Sequence, residues 1–297
     1  MDRREFLKTS ALAAAGLALS PATASDVAAK CVSRKGFTLM QISSITDTIG
    51  NSYIIRTGRG SVVVMDGGFP SEAPHLRERL KEYGNHVDAW FLSHPHDDHI
   101  GAINEILSDR QGVTIDKIYY SSCTEEFLSL EQPYEGEARR LYKLLGQQTQ
   151  TKVYDLHETG GRYDVGGLGI QVFGVSNPEF RNNPYNNSSM IIRIWDKTKS
   201  VLFLGDAGVE CGNKAWEKYG NKMDSDYVQM AHHGQAGCSE EFYKNLNFRA
   251  CLWPTPSWVW NPVHERLKTM ETCRWMDEKK IAEHHVSCLE KDWLMTV

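Results

Sequence analysis

Ser93-His94-Pro95-His96-Asp97-Asp98-His99-Ile100-Gly101 sets three histidines and an aspartate at fixed offsets within a chain of 297 residues. In extended backbone, side chains two residues apart point the same way, so His94 and His96 can converge on one cation. The chain then turns into a helix predicted from about residue 98 to 107, with Ile103, Ile106 and Leu107 on its apolar face. Asp98 and His99 leave that turn toward a second cation a few ångströms away. Imidazole nitrogen and carboxylate oxygen are the ligands zinc accepts in open, catalytic sites. A histidine-rich polar loop is the bland alternative, and the apolar run over 87–93 that feeds the string argues against it.

Upstream, residues 37–42, 52–56 and 61–65 are short β-rich segments split by Gly and Asn, an opening meander that ends at Asp66-Gly67-Gly68. An amphipathic helix over 71–83 and a buried strand over 87–93 follow. Downstream come a strand at 115–121, a helix at about 135–148 and a strand at 152–157. The second half reads as strands at 169–174, 189–195, 201–204 and 227–231, then helices at 239–246 and 264–280 with 250–253 between them, and 292–297 closing the sheet. No repeat, low-complexity stretch or Pro- and Ser-rich linker marks an internal boundary. Strand clusters opening each half, interspersed helices and the lack of G-x-G-x-x-G predict an α/β (α+β) chain: two mixed sheets covered by helices, and not a Rossmann arrangement.

A composition of 41% apolar and 24% charged residues is that of a chain able to bury a large core, and a net charge of −5 offers no general grip on nucleic acid. Arg3 and Arg4 precede an apolar run from Ala11 to Leu19, which ends in Pro21 and Ala22-Thr23-Ala24. This is the layout of a signal peptide over 1–24 with cleavage before Ser25, leaving 25–297 as the working domain. Arg3-Arg4-Glu5-Phe6-Leu7-Lys8 resembles the twin-arginine export signal, an ordinary secretory leader being the alternative. Either way the expectation is an exported protein, periplasmic or extracellular, with no stable membrane anchor; Ala29-Lys30 is a poor approach to a lipidated Cys31. The seven cysteines form no C-x-x-C pair, so no cysteine zinc knuckle is written here. Their odd number leaves any disulfide connectivity open.

The H-x-H-x-D-H pattern formed by His94, His96, Asp98 and His99 resembles the hallmark of the metallo-β-lactamase superfamily, and the resemblance extends over nearly all of the mature chain. It implies an αββα sandwich and a pair of metal ions, zinc first and other divalent metals second. It also implies further roles. Asp66, after an early strand, would orient a ligand histidine; Asp206, at the end of the run 201–204, would bridge both metals. His232-His233-Gly234 resembles the His-His-Gly of one branch, which includes nuclease-like domains of DNA-uptake channel proteins and phosphorylcholine esterases. His233 is then assigned to the second metal and His232 to substrate phosphate or proton transfer, with exchange of the two left open. The chain departs from the family between His157 and Asp206, where no third histidine for the first metal occurs and Asn183-Pro184-Tyr185-Asn186-Asn187-Ser188-Ser189-Met190 stands instead. His264 resembles the histidine of a following Asn-x-x-x-His segment and would reach substrate, a solvent-facing histidine being the alternative. Trp253, Trp258 and Trp260 either wall a groove or pack in the core.

No G-x-S-x-G or other nucleophile motif competes with the cluster. The expected activity is metal-dependent hydrolysis, first of a phosphodiester or phosphate ester, with hydrolysis of a lactone, amide or thioester as the rival and a noncatalytic metal-binding protein as a third reading. The expected substrate is a small-molecule or polymeric ester. Nucleic acid is disfavoured by the acidic balance, because Arg139, Arg140 and Lys143 read as solvated helix surface.

Overall fold

The computed structural model describes residues 36–295 apart from 263 and 265. The predicted leader over 1–24, its cleavage point and Cys31 lie outside the described residues. The strands in chain order are β1 (Thr38–Gln41), β2 (Tyr53–Arg56), β3 (Val62–Met65), β4 (His86–Val87), β5 (Ala89–Phe91), β6 (Thr114–Ile115), β7 (Lys117–Tyr120) and β8 (Lys152–Asp155) in the first half. The second half supplies β9 (Arg162–Val165), β10 (Leu168–Val172), β11 (Ile192–Trp195), β12 (Ser200–Phe203), β13 (Tyr227–Gln229), β14 (Ala250–Trp253), β15 (Glu283–Val286) and β16 (Trp293–Met295). They build two seven-stranded sheets of orders β16-β1-β2-β3-β5-β7-β8 and β15-β14-β13-β12-β11-β10-β9. Each sheet begins as an antiparallel meander and ends in parallel strands: β3, β5, β7 and β8 in one, β12 to β15 in the other.

The two sheets stack face to face through alternate residues, Leu39, Tyr53, Ile55, Val63 and Phe91 meeting Ile170, Val172, Ile194, Val201 and Leu252. The other face of the first sheet, with Ile54, Val64, Trp90 and Ile118, is covered by helices α1 (Ala73–Glu82), α2 (Asp97–Ser108) and, beyond the short α3 (Glu125–Leu128), α4 (Gln132–Gly146). Leu202, Val228, Cys251 and Trp253 on the second sheet are covered by α5 (Val209–Tyr219), α6 (Glu240–Asn245) and α8 (Thr269–Glu278), with the short α7 (Ser257–Trp260) between the last two. The architecture is the αββα sandwich expected from the sequence.

Local departures have local causes. The strand expected over 87–93 is broken at Asp88, whose carboxylate accepts the Val62 amide at 2.7 Å. Only β5 joins the main sheet, while β4 pairs with β6. The helix expected over 264–280 starts at Thr269. α5 went unread because its buried face is made of Cys211, Gly212 and Ala215, small residues that leave little apolar periodicity. Among the tryptophans, Trp253 and Trp260 are core and Trp258 is exposed. Cys123, Cys211, Cys238, Cys251, Cys273 and Cys288 are free thiols. No described helix is long and apolar enough to cross a membrane.

Candidate metal centre

The parallel strands of both sheets point their carboxyl ends toward one edge of the sandwich, where every histidine of the 93–101 string emerges. β3 delivers Asp66, β5 delivers Ser93 to His96, β12 delivers Asp206, and β13 delivers His232 and His233. Gln229 fastens the second sheet's contribution: its side chain accepts the Leu204 amide at 2.8 Å and donates to the Gly205 and Met230 carbonyls at 3.0 and 2.7 Å. Asp97 and Asp98 occupy the first turn of α2, where the helix dipole favours negative charge. Gly101 lets that helix lie against the Pro70 turn, since a Cβ there would sit 2.2 Å from Pro70 Cδ.

Two groups of donors result. Asp98, His99, Asp206 and His233 form one and His94, His96 and Asp206 the other, the ligand atoms of each lying within 4.8 Å of one another. All six side chains are buried. In the first-named group, hereafter the four-residue pocket, His99 Nε2 lies 3.0 Å from Asp206 Oδ1, and His233 Nε2 lies 2.9 Å from Asp98 Oδ2 and 3.4 Å from Asp206 Oδ2. His99 Nε2, His233 Nε2 and Asp206 Oδ1 are nevertheless buried without a properly aligned hydrogen-bond partner. Burial alone would push both carboxyls up, but the neighbouring His99 and His233 rings hold Asp98 and Asp206 well below the usual carboxylate range. Reciprocally, burial lowers His99 and His233, and the carboxylates outweigh it: His99 is held well up and His233 is pushed up to about 9.

The far nitrogens of these rings are spoken for. Asp66 Oδ2 is 2.7 Å from His99 Nδ1 and also accepts from Asn51 Nδ2 and Ser93 Oγ, both at 2.8 Å, while its Oδ1 accepts the Ser93 amide at 2.7 Å. His233 Nδ1 meets the Pro254 carbonyl at 2.9 Å. Each bond keeps a proton on Nδ1, so Nε2 is the atom turned toward the pocket and offers a lone pair there once the ring is neutral. The same logic holds in the three-residue pocket. Ser93 Oγ, having donated its proton to Asp66, is 3.0 Å from His94 Nδ1 and can accept from it. His96 is reversed: its Nε2 is 2.7 Å from Glu131 Oε2, which frees Nδ1. His94 Nε2 and His96 Nδ1 then face each other at 3.0 Å, two lone pairs that only a proton or a metal cation reconciles. Burial, and after it the neighbouring His99 ring, push His94 well below the ordinary histidine value, which works against a proton on that ring. The donor set and its orphaned atoms therefore fit divalent cations.

His232 and His233 both sit in left-handed backbone, at φ 52° and 56°, with Gly234 following at 82°. Two consecutive non-glycine residues in that region cost about 1–3 kcal/mol each, strain of the kind that accumulates at functional sites. The strain splits the pair. His233 is wholly buried and aimed at Asp98, whereas His232 keeps 22% side-chain exposure, with Nε2 3.8 Å from Asp206 Oδ2 and Nδ1 unpartnered. His232 Nε2 also meets Asn186 Nδ2 at 3.4 Å. The tie to Pro254 leaves His233 Nε2 facing Asp98 and Asp206, so His233 is the member of the pair that could hold a cation. His264 is exposed in the turn before Leu267, and among the described residues its ring makes no ion pair or hydrogen bond with the cluster.

Glu131, Ser93, Asn51 and Gln229 were not singled out from the sequence. Glu131 lies in a stretch with Glu125, Glu126 and Glu135, where one carboxylate looks like another. It is distinguished only in three dimensions, by holding His96 and by accepting the Tyr185 amide at 2.8 Å. Tyr134 and Tyr185 flank the His96 ring at centroid distances of 4.6 and 5.2 Å.

Residues 45–118, which contain β2, β3, Asp66 and the whole 93–101 string, match the family model described as "Metallo-beta-lactamase superfamily". The chain carries the metallo-β-lactamase fold. Solved structures extend the likeness over the remainder. YhfI, a metallo-β-lactamase fold protein from Bacillus subtilis, is 16% identical, with 88% of this chain and 99% of that chain covered and a TM-score of 0.55. Zn(2+)-bound PqqB from Methylobacterium extorquens is 8% identical over 88% and 100% of the two chains, with a TM-score of 0.52. A diphosphatase of the PhnP family is 13% identical over 88% and 98%, with a TM-score of 0.50. Among curated proteins none matches the chain in sequence. At these identities the likeness is one of fold, and the chemistry of this metallo-β-lactamase-fold chain is argued from its own side chains.

Proposed function

We propose that the chain is a metal-dependent hydrolase that cleaves a phosphodiester or phosphate ester with the help of two divalent cations, zinc first among them. One observation carries the reading: His94 Nε2, His96 Nδ1, His99 Nε2, His233 Nε2 and the Asp206 carboxylate converge at the open end of the sandwich with their outer atoms already anchored. Cations held there would lower the pKa of a water between them and neutralise charge growing on the attacked group. Asp98 and Asp206 supply the negative charge of the pocket, while Asp66, Glu131 and the Pro254 carbonyl fix which ring nitrogen faces inward. His232, partly open to solvent, is placed to hold or pass a proton at a leaving oxygen. Burial pushes the Cys211 thiol up to about 12 and the Cys238 and Cys251 thiols well up, the opposite of an activated nucleophile at those three positions.

A phosphorus centre is preferred because two cations can hold the attacking and the leaving oxygen together, and a diphosphatase shares the fold. The proposed substrates are small-molecule or polymeric esters met outside the cytoplasm. Nucleic acid is a poorer fit, since Arg139 and Arg140 are occupied by Glu125, Glu135, Glu105 and Glu137. Zinc-loaded protein is expected to turn over bis-p-nitrophenyl phosphate and to spare nitrocefin. Turnover of nitrocefin or a lactone without the phosphodiester would give the reaction to the rival class. Hydrolysis unchanged in a His96→Ala, Asp98→Ala double variant would leave only a binding role.

A further inference from the structure

The two pockets share Asp206 but are unequally supplied, one adding Asp98, His99 and His233 to it and the other only His94 and His96. Asn186 approaches the shared Asp206 by way of His232. Its side chain is 2% exposed, and its amide nitrogen lies 3.1 Å from Asn183 Oδ1 and 3.4 Å from His232 Nε2. His232 Nε2 is itself 3.8 Å from Asp206 Oδ2, and the ring of Tyr185, the residue before Asn186, is 5.2 Å from that of His96. The amide oxygen, Asn186 Oδ1, is buried without any hydrogen-bond partner.

A buried acceptor is stable only where a donor, a water or a cation meets it. As placed, the amide donates through Nδ2 to Asn183 Oδ1 at 3.1 Å, which leaves Oδ1 without a donor. An unpaired acceptor is the wrong partner for a phosphate oxygen and the right one for a cation, and amide carbonyls are ordinary ligands of divalent metals. We propose that Asn186 Oδ1 is the fourth protein ligand of the pocket formed by His94, His96 and Asp206. The inference rests on the two-cation reading of the site and not on which ester is cleaved. A neutral oxygen suits zinc less well than imidazole, so this pocket holds its cation more loosely than its neighbour.

The test is calorimetric titration of the purified, chelator-stripped full chain with Zn²⁺ alone. Two equivalents of unequal affinity are expected in the unaltered chain. Asn186→Ala should weaken the looser one by about tenfold or more and leave the tighter one in place, and Asn186→His should tighten the looser one. Two equivalents unchanged in Asn186→Ala, both weakened alike, or a single equivalent in the unaltered chain would each overturn the assignment. Should Asn186→Ala fail to fold, the near-isosteric Asn186→Asp decides: a tighter loose equivalent supports the ligand role and an unchanged one refutes it. No substrate enters the measurement, so a chain inactive on every ester would defeat the proposed function without touching this result.

Discussion

The two candidate cation pockets are neighbours, yet the fold builds them differently. Asp98, His99, Asp206 and His233 come from the ends of buried strands and the first turn of α2, and their rings are tied back to Asp66 and to the Pro254 carbonyl inside the sandwich. His94 and His96 also leave a strand end, but the outer nitrogen of His96 is held by Glu131, which precedes α4 outside the sheets. One pocket is fixed by the core that stacks the sheets; the other borrows its rigidity from a helical segment laid over them. Catalytic centres need both, a rigid anchor and a side that exchanges ligands. The asymmetry therefore reads as a division of labour.

Asp206 is where that division fails, because its carboxylate serves both pockets. Asp206→Asn should produce the largest effect of any single change, with hydrolysis reduced to the assay background and both cations lost on dialysis. Metal analysis of the dialysed variant checks it. Retention of one full equivalent would mean that the pockets do not share this residue and that the comparison is drawn at the wrong place.

The string from Ser93 to Gly101 disclosed the site because its ligands are contiguous and its spacing matches strand and helix periods, so local sequence carries the geometry. Asp206 and His233 were named through the resemblance to the metallo-β-lactamase superfamily, since a strand followed by an aspartate or a histidine pair is weak evidence by itself. Glu131 was not legible as a functional residue, because the short helical segment that brings it to His96 takes its path from tertiary packing. Asn186 lies in the 183–190 stretch that stands where the family's third histidine would be, but nothing in the sequence picks it out from its asparagine neighbours. His264 is exposed, in keeping with the solvent-facing alternative weighed for it. The sheets themselves were largely readable, and the misses fell where small residues, as in α5, or a side-chain hydrogen bond, as at Asp88, replaced apolar periodicity.

Glu131→Gln sharpens the comparison at intermediate cost. The amide keeps the shape but weakens the acceptor for His96 Nε2, so the pocket containing His94 and His96 should lose about tenfold in cation affinity, with a matching fall in turnover at limiting zinc. The other pocket should bind as before. Zinc titrations read by calorimetry separate the two, and equal weakening of both equivalents would show that Glu131 supports the fold and not one pocket.

The smallest expected effect is a count of protons. In the cation-free chain, burial works against charge on His99 and His233, yet Asp206 and Asp98 outweigh it, holding His99 well up and His233 at about 9. His94 moves the other way, lowered first by burial and then by the neighbouring His99 ring. A cation entering the four-residue pocket near neutral pH must therefore expel the protons of His99 and His233, whereas His94 presents its lone pair without losing one. The sign follows directly. Below about pH 9 affinity in that pocket should fall as pH falls, by on the order of one decade per pH unit for each proton displaced. Affinity in the pocket of His94 should depend on pH less steeply. Calorimetry at one pH in two buffers of different ionisation enthalpy counts the protons released with each equivalent. The tighter equivalent should release more of them; equal counts would show that the carboxylates do not hold the two rings charged, and the electrostatic half of the contrast between the pockets would be lost.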